Sequence, residues 1–405
     1  MTPPVVDRVG IPMVDRPDRW WDWPGVRGRD LGSLPVVLAL MAIALVFQAL
    51  NGAFLSSDNL VNLSLQSATT GIVTLGVVLV LLIGEIDLSV GAVSGLAAAV
   101  VAVGFMQRGW PLGVAVLLAV GLGAALGAGY GWLFTRLGVP SFVITLAGLL
   151  VAVGLQLQVL GATGSVNLPY ESWLVRFSQQ TFLHPVASYA VVGAVVLGYG
   201  ASRWVDRRRR KQAELPAPSL GAVLARTAMV AVVLAVSVWY LNQDRGVGAM
   251  VAFFLGLVVV ADLLLRRTRW GRSVRAIGSN AESARRAGYA VRRVYISAFT
   301  ACAMLAALAG VLSAGRLAAA NQGTGGSDLN LTAIAAAVIG GTSLFGGRGS
   351  AWSAVLGVLV IHSISSGLTL LSADGSLQYI ATGLVLALAV TVDAVSRRAR
   401  VSPTR

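Results

Sequence analysis

The sequence predicts an all-α protein that crosses a membrane many times, and three observations support that prediction. Of its 405 residues, 56% are hydrophobic and only 12% are charged, which is about half the charge of an ordinary soluble domain. Apolar runs recur along the whole length of the chain. The arginines gather beside these runs, in residues 203–211, 266–293 and 397–405, as they do in cytoplasmic loops. We therefore expect about ten to twelve transmembrane helices, some of them broken or re-entrant.

The apolar runs define the predicted spans in chain order. They cover residues 34–50, 69–83, 90–106, 112–135, 140–160, 186–201, 221–241, 247–265, 294–316, 332–345, 351–371 and 378–395. Several are shorter than the roughly twenty residues that cross a bilayer comfortably, so the runs that flank 84–90 and 346–350 are candidates for broken helices. Gly123, Gly127 and Gly131 recur at every fourth position, which lets the backbones of two helices approach closely.

The arginine bias also predicts the orientation of the chain. An even number of spans places both termini and the basic segments in the cytoplasm, and the outside segments are then 51–68, 161–185, 242–246 and 317–330. The predicted organisation is a basic, Trp-rich tail over 1–33, a transmembrane domain over 34–396 and a basic tail over 397–405. In the first tail Trp20, Trp21 and Trp23 are expected at the level of the lipid headgroups. No cleaved signal peptide is expected, because the tail mixes Asp with Arg.

The charged and reactive residues narrow the function classes. The net charge of +14 does not indicate nucleic-acid binding, because the basic residues flank apolar runs, where anionic lipid attracts them. The single cysteine, Cys302, lies inside an apolar run, which leaves no disulfide or cysteine-based metal site and predicts a small core residue. His362 also lies in an apolar run; a satisfied interhelical hydrogen bond is expected there, with a cavity-lining role as the alternative.

The most unusual stretch is Ile83–Gly91, which places Glu85 and Asp87 between two apolar runs. A carboxylate at mid-membrane costs about 2.5–3.5 kcal/mol on insertion scales, so the pair must face a wet cavity, the membrane surface or another protein. The glycines and Ser89 suit a helix that breaks and restarts. Two interpretations stay open: the acids line or gate a path, or they have a structural role, in which they cap helices or pair with arginines of the 266–293 loop.

A weak internal sequence repeat, which we call the internal echo, supports two related halves of the chain. The spacing of Ile83, Gly84, Leu88 and Gly91 repeats in Ile339, Gly340, Leu344 and Gly347. Paired interruptions in two halves point to a transport site at a repeat interface. Thr342 and Ser343 in the second interruption therefore join Glu85, Asp87 and Ser89 as candidates to line or gate a path.

The basic loop 266–293 carries a second informative pattern. Asn280 is placed to cap a short helix that runs through Glu282, Arg285 and Arg286 and ends at Gly288. Glu282 and Arg286 have the spacing of an i,i+4 ion pair. A capped helix on a membrane loop suits docking to a cytoplasmic partner, and an ordinary basic loop is the alternative.

Four segments together resemble the permeases of monosaccharide ABC importers, the ribose, galactose and xylose branch. The segments are Gly84–Gly91, Val139–Gly148, Ala276–Asn280 and Ile339–Gly347. They lie in the family's order, and the resemblance covers roughly residues 50–395. An extra central portion, about residues 165–245, makes the chain most similar to the D-xylose subfamily. Ser279 stands where the family usually has glycine, and the first thirty or so residues are not covered.

The resemblance implies a permease subunit of the plasma (inner) membrane that imports a monosaccharide, most similar to importers of xylose. Its implied partners are an ABC ATPase subunit, an extracytoplasmic sugar-binding protein and a second permease copy. The loop 272–288 matches the coupling segment, so Arg272, Gly278, Asn280, Glu282, Ala284, Arg285 and Gly288 are expected to serve coupling to the ATPase. No cofactor is expected in this chain. Its single lysine, Lys211, does not stand in a Walker A loop, so a partner must hydrolyse ATP-Mg.

Two other function classes compete with a permease of this kind. An ion-coupled secondary sugar transporter would use Glu85 and Asp87 as its coupling site. An intramembrane enzyme on a lipid-linked sugar would need a nucleophile with its base, or a metal cluster. The sequence offers neither of these, so the chain is not expected to be an enzyme.

Overall fold

A computed structural model of the chain describes residues 34–401. The helices are α1 (Leu34–Leu50), α2 (Ser57–Leu82), α3 (Val90–Met106), α4 (Leu112–Leu137), α5 (Ser141–Leu160), α6 (Trp173–Val175), α7 (Pro185–Gln212), α8 (Leu220–Leu241), α9 (Ala249–Arg267), α10 (Arg269–Ser279), α11 (Ala281–Arg286), α12 (Val291–Leu317), α13 (Ser327–Ile339), α14 (Trp352–Leu370) and α15 (Gly375–Val401). Two short strands, β1 (Ser165–Asn167) and β2 (Ala319–Asn321), pair antiparallel. The predicted placement of Trp20, Trp21 and Trp23 lies outside the described residues.

The predicted all-α, polytopic architecture is confirmed. In the described part of the chain, 8 helices are long and apolar enough to cross a membrane: α2, α4, α5, α7, α8, α9, α12 and α14. Shorter apolar helices fall within α1, α3, α13 and α15. Each predicted apolar run overlaps one of these long or short helices, so the runs are helical even where they are too short to span a membrane alone.

Several predicted boundaries were wrong, and each error has a local cause. The segment 57–68, expected outside the membrane, is the first part of α2, because Ser56 caps that helix by accepting a hydrogen bond from the Asn59 N–H at 3.3 Å. The basic segment after residue 203 continues α7 to Gln212, since arginine is a good helix former. The whole of α10 lies inside what was expected to be loop. The second interruption starts at Gly340, because α13 ends at Ile339.

The core of the bundle lies where α2, α3 and α12 meet. The most apolar part of α2 is 89% buried, whereas the corresponding parts of α7 and α8 are 6% and 11% buried. The predicted glycine row packs α4 against α12: a Cβ at Gly127 would collide with the Phe299 carbonyl, and one at Gly123 would collide with Ala303 and Ala307. Close approach of small residues stabilises helix pairs in lipid, where water drives no helices together.

Most of the extra central portion forms a hairpin of α7 and α8 at the edge of the bundle. These two helices pack mainly on each other, with only a small contact between α8 and α2. Most of their side chains are exposed in the isolated chain, as expected for helices that face lipid. The hairpin therefore contributes little to the core, whereas the residues before it supply buried core side chains at Val166, Leu168, Leu174 and Val175.

The strand pair and the segment after it close one end of the bundle. Ser165 pairs with Asn321 in the two-stranded sheet, although both lie in segments expected to be loops. The buried side chain of Gln156 donates hydrogen bonds from Nε2 to the carbonyl oxygens of Asn321 at 3.0 Å and Thr324 at 2.9 Å. These bonds hold the turn 321–326 against α3 and α5.

Candidate functional site

The first helix interruption joins α2 to α3 through an extended segment. Gly84 adopts φ +82°, which L side chains rarely adopt, and lets the chain leave α2. The Asp87 carboxylate is 1% exposed, and its Oδ1 accepts hydrogen bonds from the Ser89 N–H at 2.8 Å and the Ser89 hydroxyl at 2.7 Å. Asp87 and Ser89 therefore bond to each other and brace the start of α3, but Ser89, the N-cap residue, makes no side-chain capping hydrogen bond to the helix.

The second oxygen of Asp87 lies deep in the bundle. Oδ2 is buried and has no hydrogen-bond partner among the described residues. The Cys302 thiol and the Tyr130 phenol interact electrostatically with this carboxylate, and Cys302 lies near the middle of α12. The prediction that Cys302 is a small core residue is confirmed, since it is 0% exposed. The chain thus carries Asp87 well inside the bundle.

Glu85 lies nearer the end of the bundle that carries α10 and α11. Its carboxylate is half-buried beside Ser141 and interacts with Tyr295, near the start of α12. Among the described residues, no ion pair links Glu85 or Asp87 to an arginine of the 266–293 loop. The ion pairing that one interpretation expected is therefore not formed in this part of the chain.

The second helix interruption spans residues 340–350. Gly341, Gly346 and Gly347 have φ of +100°, +85° and +76°, so the chain turns sharply where side chains would be strained. Thr342 is 1% exposed and its hydroxyl has no hydrogen-bond partner among the described residues. The Ser343 N–H donates to the Arg348 carbonyl at 3.0 Å and closes the turn.

The two interruptions and α10 meet in one place, which we call the junction: Leu82–Gly84, Gly278 and Gly346–Gly347. The Gly347 N–H donates a hydrogen bond to the Leu82 carbonyl at 3.0 Å. A Cβ at Gly278 would collide with that same Leu82 carbonyl and approach the Gly347 nitrogen to 2.6 Å. The paired interruptions predicted from the internal echo are thus in direct contact, but they meet against α10 and not around an open cavity.

The predicted helix in the basic loop is confirmed as α11. Asn280 Oδ1 accepts a hydrogen bond from the Ser283 N–H at 2.8 Å, which caps the helix. Glu282 pairs with Arg286 at 3.2 Å and with Arg285 at 3.4 Å. Gly288 follows the helix with φ +83°, as a glycine at a helix end commonly does.

The loop has an inner face and an outer face, which the sequence did not separate. Val274 and Ile277 are buried in the bundle, and Ala284 is only 4% exposed. Gly278 and Ala284 were expected to dock against a partner; they face the chain itself and hold the loop in position. Arg272, Asn280, Glu282 and Arg285 are exposed and form the surface of the loop that a partner can reach.

A polar cavity of about 230 Å³ lies between α2, α3, α12, α13 and α14. Its main polar lining residues are Gln66, Thr69, Thr70, Ser313, Arg316 and His362. None of the predicted path residues Glu85, Asp87, Ser89, Thr342 or Ser343 lines it. Sequence reasoning missed the cavity, although an arginine at the end of an apolar run was a usable signal for it.

His362 takes the alternative role considered for it. The ring lines the polar cavity, and its buried Nε2 has no hydrogen-bond partner among the described residues. The satisfied interhelical bond expected at this histidine is therefore not made at Nε2. Within residues 34–401 no group of three or more His, Cys, Asp or Glu side chains could hold a metal ion.

Comparison with known proteins identifies sequence relatives along almost the whole chain. The family described as the permease component of branched-chain amino acid transport systems matches residues 59–390. The xylose transport system permease protein of Escherichia coli K12 is 36% identical over 376 residues, which is 92% of this chain and 94% of that protein. The corresponding protein of Haemophilus influenzae is 34% identical over 370 residues, 90% of this chain and 98% of its own. The ribose import permease of Bacillus subtilis is 31% identical over 356 residues, 88% and 91% of the two chains. No solved structure matches.

Proposed function

Because this chain belongs to the transport permease family that those relatives share, we propose that it is the membrane subunit of an ATP-driven monosaccharide importer. The sugar is a pentose, with xylose as the first candidate. Similarity to xylose permeases over 92% of the chain is the observation that carries the proposal. The ribose permease of Bacillus subtilis, at 31% identity, supports the broader class of monosaccharides.

The junction supports a coupling role for α10 and α11. In this proposal the outer face of the loop, with Arg272, Asn280, Glu282 and Arg285, docks against an ATPase subunit in the cytoplasm. A push on α10 reaches Leu82 and Gly347 directly, because Gly278 packs against both backbones without an intervening side chain. Motion of an ATPase is thereby passed to both interrupted helices at once.

The first interruption extends that motion into the bundle. From Leu82 the chain continues through the extended segment to Asp87 and Ser89. The hydrogen bonds between these two residues brace the start of α3. A shift of the junction therefore tilts or slides α3 relative to α12. Glu85, Asp87, Ser89, Thr342 and Ser343 are proposed as gate residues that respond to this movement, with Asp87 and Ser89 acting through the position of α3.

The energy for transport comes from partners in this proposal. The single lysine, Lys211, is preceded by four arginines and followed by Gln212, so the chain lacks the Gly-Lys-Ser/Thr of a Walker A loop. ATP-Mg is bound by an ATPase subunit, an extracytoplasmic binding protein delivers the sugar, and a second copy of this chain completes the membrane unit. The chain lies in the plasma (inner) membrane, with both termini on the cytoplasmic side, as the arginine bias predicts.

Reconstitution of the full transporter tests the proposal. The chain, its cognate ATPase and its binding protein are placed in proteoliposomes, and uptake of labelled pentoses and hexoses is measured with ATP inside or outside. ATP-dependent uptake of xylose above hexoses is the expected result. An ATPase whose Walker A lysine is substituted provides the control for ATP dependence.

An ion-coupled secondary transporter is the rival, and the buried carboxylate of Asp87 is the observation that favours it. In that case, the purified chain alone would accumulate sugar when only a proton or sodium gradient is applied. Such uptake, unaffected by loss of the ATPase, would overturn the proposed function.

A further inference from the structure

The polar cavity holds an unusual number of polar groups that the protein leaves unpaired. Gln66, Thr70, Ser313, Arg316 and His362 line it, and none of their side chains makes a hydrogen bond to another described residue, apart from the electrostatic interaction between Arg316 and His362. Buried polar groups without partners cost about 1–3 kcal/mol each. Of these five side chains only Thr70 is buried and the other four are partly exposed. The buried His362 Nε2 is the atom that most needs water or a ligand as a partner.

Among the lining groups, the charged guanidinium of Arg316 has the greatest need for hydrogen-bond acceptors. It lies in the last turn of α12 and is only partly exposed, and no carboxylate among the described residues pairs with it. A guanidinium has five N–H donors and no acceptor, and a charged group away from bulk water must find acceptors. The occupant of the cavity therefore carries several acceptor oxygens, and the positive charge disfavours a cation.

The other lining groups include hydrogen-bond acceptors, so they favour a ligand that can also donate hydrogen bonds. Gln66 offers an amide oxygen as well as an NH₂ group, and His362 offers a bare nitrogen in either neutral tautomer. A carboxylate or a fully ionised phosphate only accepts hydrogen bonds and would leave these acceptors unpaired. Ring hydroxyls both donate and accept, so a polyhydroxylated neutral ligand can satisfy the whole set.

The cavity is partly open and has room for one small ring. Its volume of about 230 Å³ lies just below the roughly 300 Å³ at which sites for drug-sized ligands begin. It would otherwise hold about seven waters at about 30 Å³ each. The walls come from α2, α3, α12, α13, α14 and the turn before α13, all within one chain.

The cavity is mechanically connected to the junction. Ser94 of α3 lies in its wall, and the Ser94 hydroxyl donates to the Gly91 carbonyl at 2.7 Å, one turn after the start of the helix that Asp87 braces. On the other side, Gly325 lies in the wall, within the turn that Gln156 holds by its bond to the Thr324 carbonyl. Movement of α3 must therefore change the shape of the cavity.

We propose that this cavity is a binding site for one monosaccharide within a single permease protomer, with Arg316 and His362 holding ring hydroxyls during translocation. The inference rests on the proposed import of a monosaccharide and adds the location of the sugar-binding site. It locates sugar contact at α2, α12 and α14, away from the gate residues at the two interruptions.

Substitution of the two strongest groups tests the site in the reconstituted complex. Arg316→Gln and His362→Asn should each lower xylose uptake about tenfold at saturating sugar-loaded binding protein, which corresponds to about 1.4 kcal/mol. ATPase stimulation by the binding protein should stay within about twofold of wild type, since the junction is untouched. Arg226→Gln, an exposed arginine of α8, is the matched control and should leave uptake unchanged.

Sugar analogues distinguish a contact from a structural role. Uptake of xylose is compared with that of each monodeoxy-xylose, in wild type and in His362→Asn. The analogue that lacks the hydroxyl held by His362 should be imported poorly by wild type, and the substitution should abolish the difference between that analogue and xylose. A structural defect in His362→Asn would lower the uptake of xylose and of every analogue by the same factor. Arg316→Lys, which keeps the charge, should recover part of the uptake that Arg316→Gln loses.

The outcomes separate this inference from the proposed function. If wild type imports no monosaccharide with ATP, the proposed function fails. If wild type imports xylose and the Arg316 and His362 variants match the Arg226 control with every analogue, the cavity is not the sugar site. Binding of xylose, inorganic phosphate and a sugar phosphate to the detergent-purified complex is also measured for wild type and Arg316→Gln. If the phosphates bind and xylose does not, and Arg316→Gln loses that binding, the cavity is an anion site and the inference is overturned. If Arg316→Gln does not fold, His362→Asn with the analogue series decides alone.

Discussion

The backbone N–H of Gly347 donates a hydrogen bond of 3.0 Å to the carbonyl oxygen of Leu82, which ties the second helix interruption to the first. Gly278 of α10 packs against the same two backbones. Three segments that lie far apart in the chain are therefore packed together at one point. Coupling and stability should both depend on this contact and on the groups around it.

Replacement of Gly278 by alanine should damage the junction. The new Cβ would collide with the Leu82 carbonyl, a backbone atom that cannot rotate away, and overpacking of this kind costs about 1–3 kcal/mol. We expect lower thermal stability in detergent and loss of uptake in proteoliposomes.

Gly256→Ala in α9 is the matched control for that variant. Nothing lies within 4 Å of the position that a Cβ would take there, and alanine favours a helix by about 1 kcal/mol over glycine. It should be as stable as wild type or more so. Equal behaviour of the two variants would contradict the close packing at the junction.

Asp87 should prove important mainly through its hydrogen bonds to Ser89. Asp87→Ala leaves the buried Ser89 N–H unpaired and should lower the free energy of unfolding by about 1–3 kcal/mol, measured by denaturant titration in detergent. Asp87→Asn keeps an acceptor oxygen and should lose less. A destabilisation by Asp87→Asn as large as that of Asp87→Ala would show that the charge, and not the acceptor geometry, is required.

Glu282→Gln should separate docking from stability. Its ion pairs with Arg285 and Arg286 involve exposed side chains, so their removal should change the free energy of unfolding by less than about 0.5 kcal/mol. ATPase stimulation and uptake should nevertheless fall if α11 docks against the ATPase. Asp262→Asn removes a similar i,i+4 pair with Arg266 in α9 and should leave coupling intact; a loss of coupling in both variants alike would argue against a specific role for α11.

Gln156→Leu should release the turn 321–326 from α3 and α5. The substitution leaves the carbonyl oxygens of Asn321 and Thr324 without their shared donor. Hydrogen exchange followed by mass spectrometry should show faster exchange in peptides that cover this turn. Gln179→Leu is the control, because Gln179 donates to the carbonyl oxygen of Arg316 at 2.7 Å and not to the turn; equal exchange of the turn in both variants would contradict the assigned contact.

Cys302 gives a chemical test of the core. The thiol is 0% exposed and a buried structural cysteine reacts slowly, so a maleimide should label the folded chain hardly at all and the denatured chain fully. The same reagent on a cysteine introduced at exposed Ser279 in a Cys302→Ala background serves as the positive control. Rapid labelling of Cys302 in the folded chain would place it in a solvent-accessible path.

Much of the fold follows from local patterns along the chain. Hydropathy located every apolar helix, the glycine row at Gly123, Gly127 and Gly131 predicted the tight packing of α4 on α12, and Asn280 with Glu282 predicted α11. These patterns work because helix formation and capping depend on residues within a few positions of one another. The errors at α2 and α7 arose where polar or basic residues continue a helix beyond its apolar part. By contrast, α10 is a separate basic helix, and α13 ends at Ile339, before the predicted apolar run does.

Local signals in the chain were enough to establish a helical membrane protein with two interrupted segments and a structured basic loop, since composition, spacing and capping act over short distances. The packed bundle was needed to show that the two interruptions meet at Gly278, that Asp87 lies deep beside Cys302, and that Arg316 and His362 share one cavity. These residues are separated by long stretches of chain, and their contacts depend on how whole helices pack. Helix packing in lipid is governed by shape and small residues, which no single segment specifies alone.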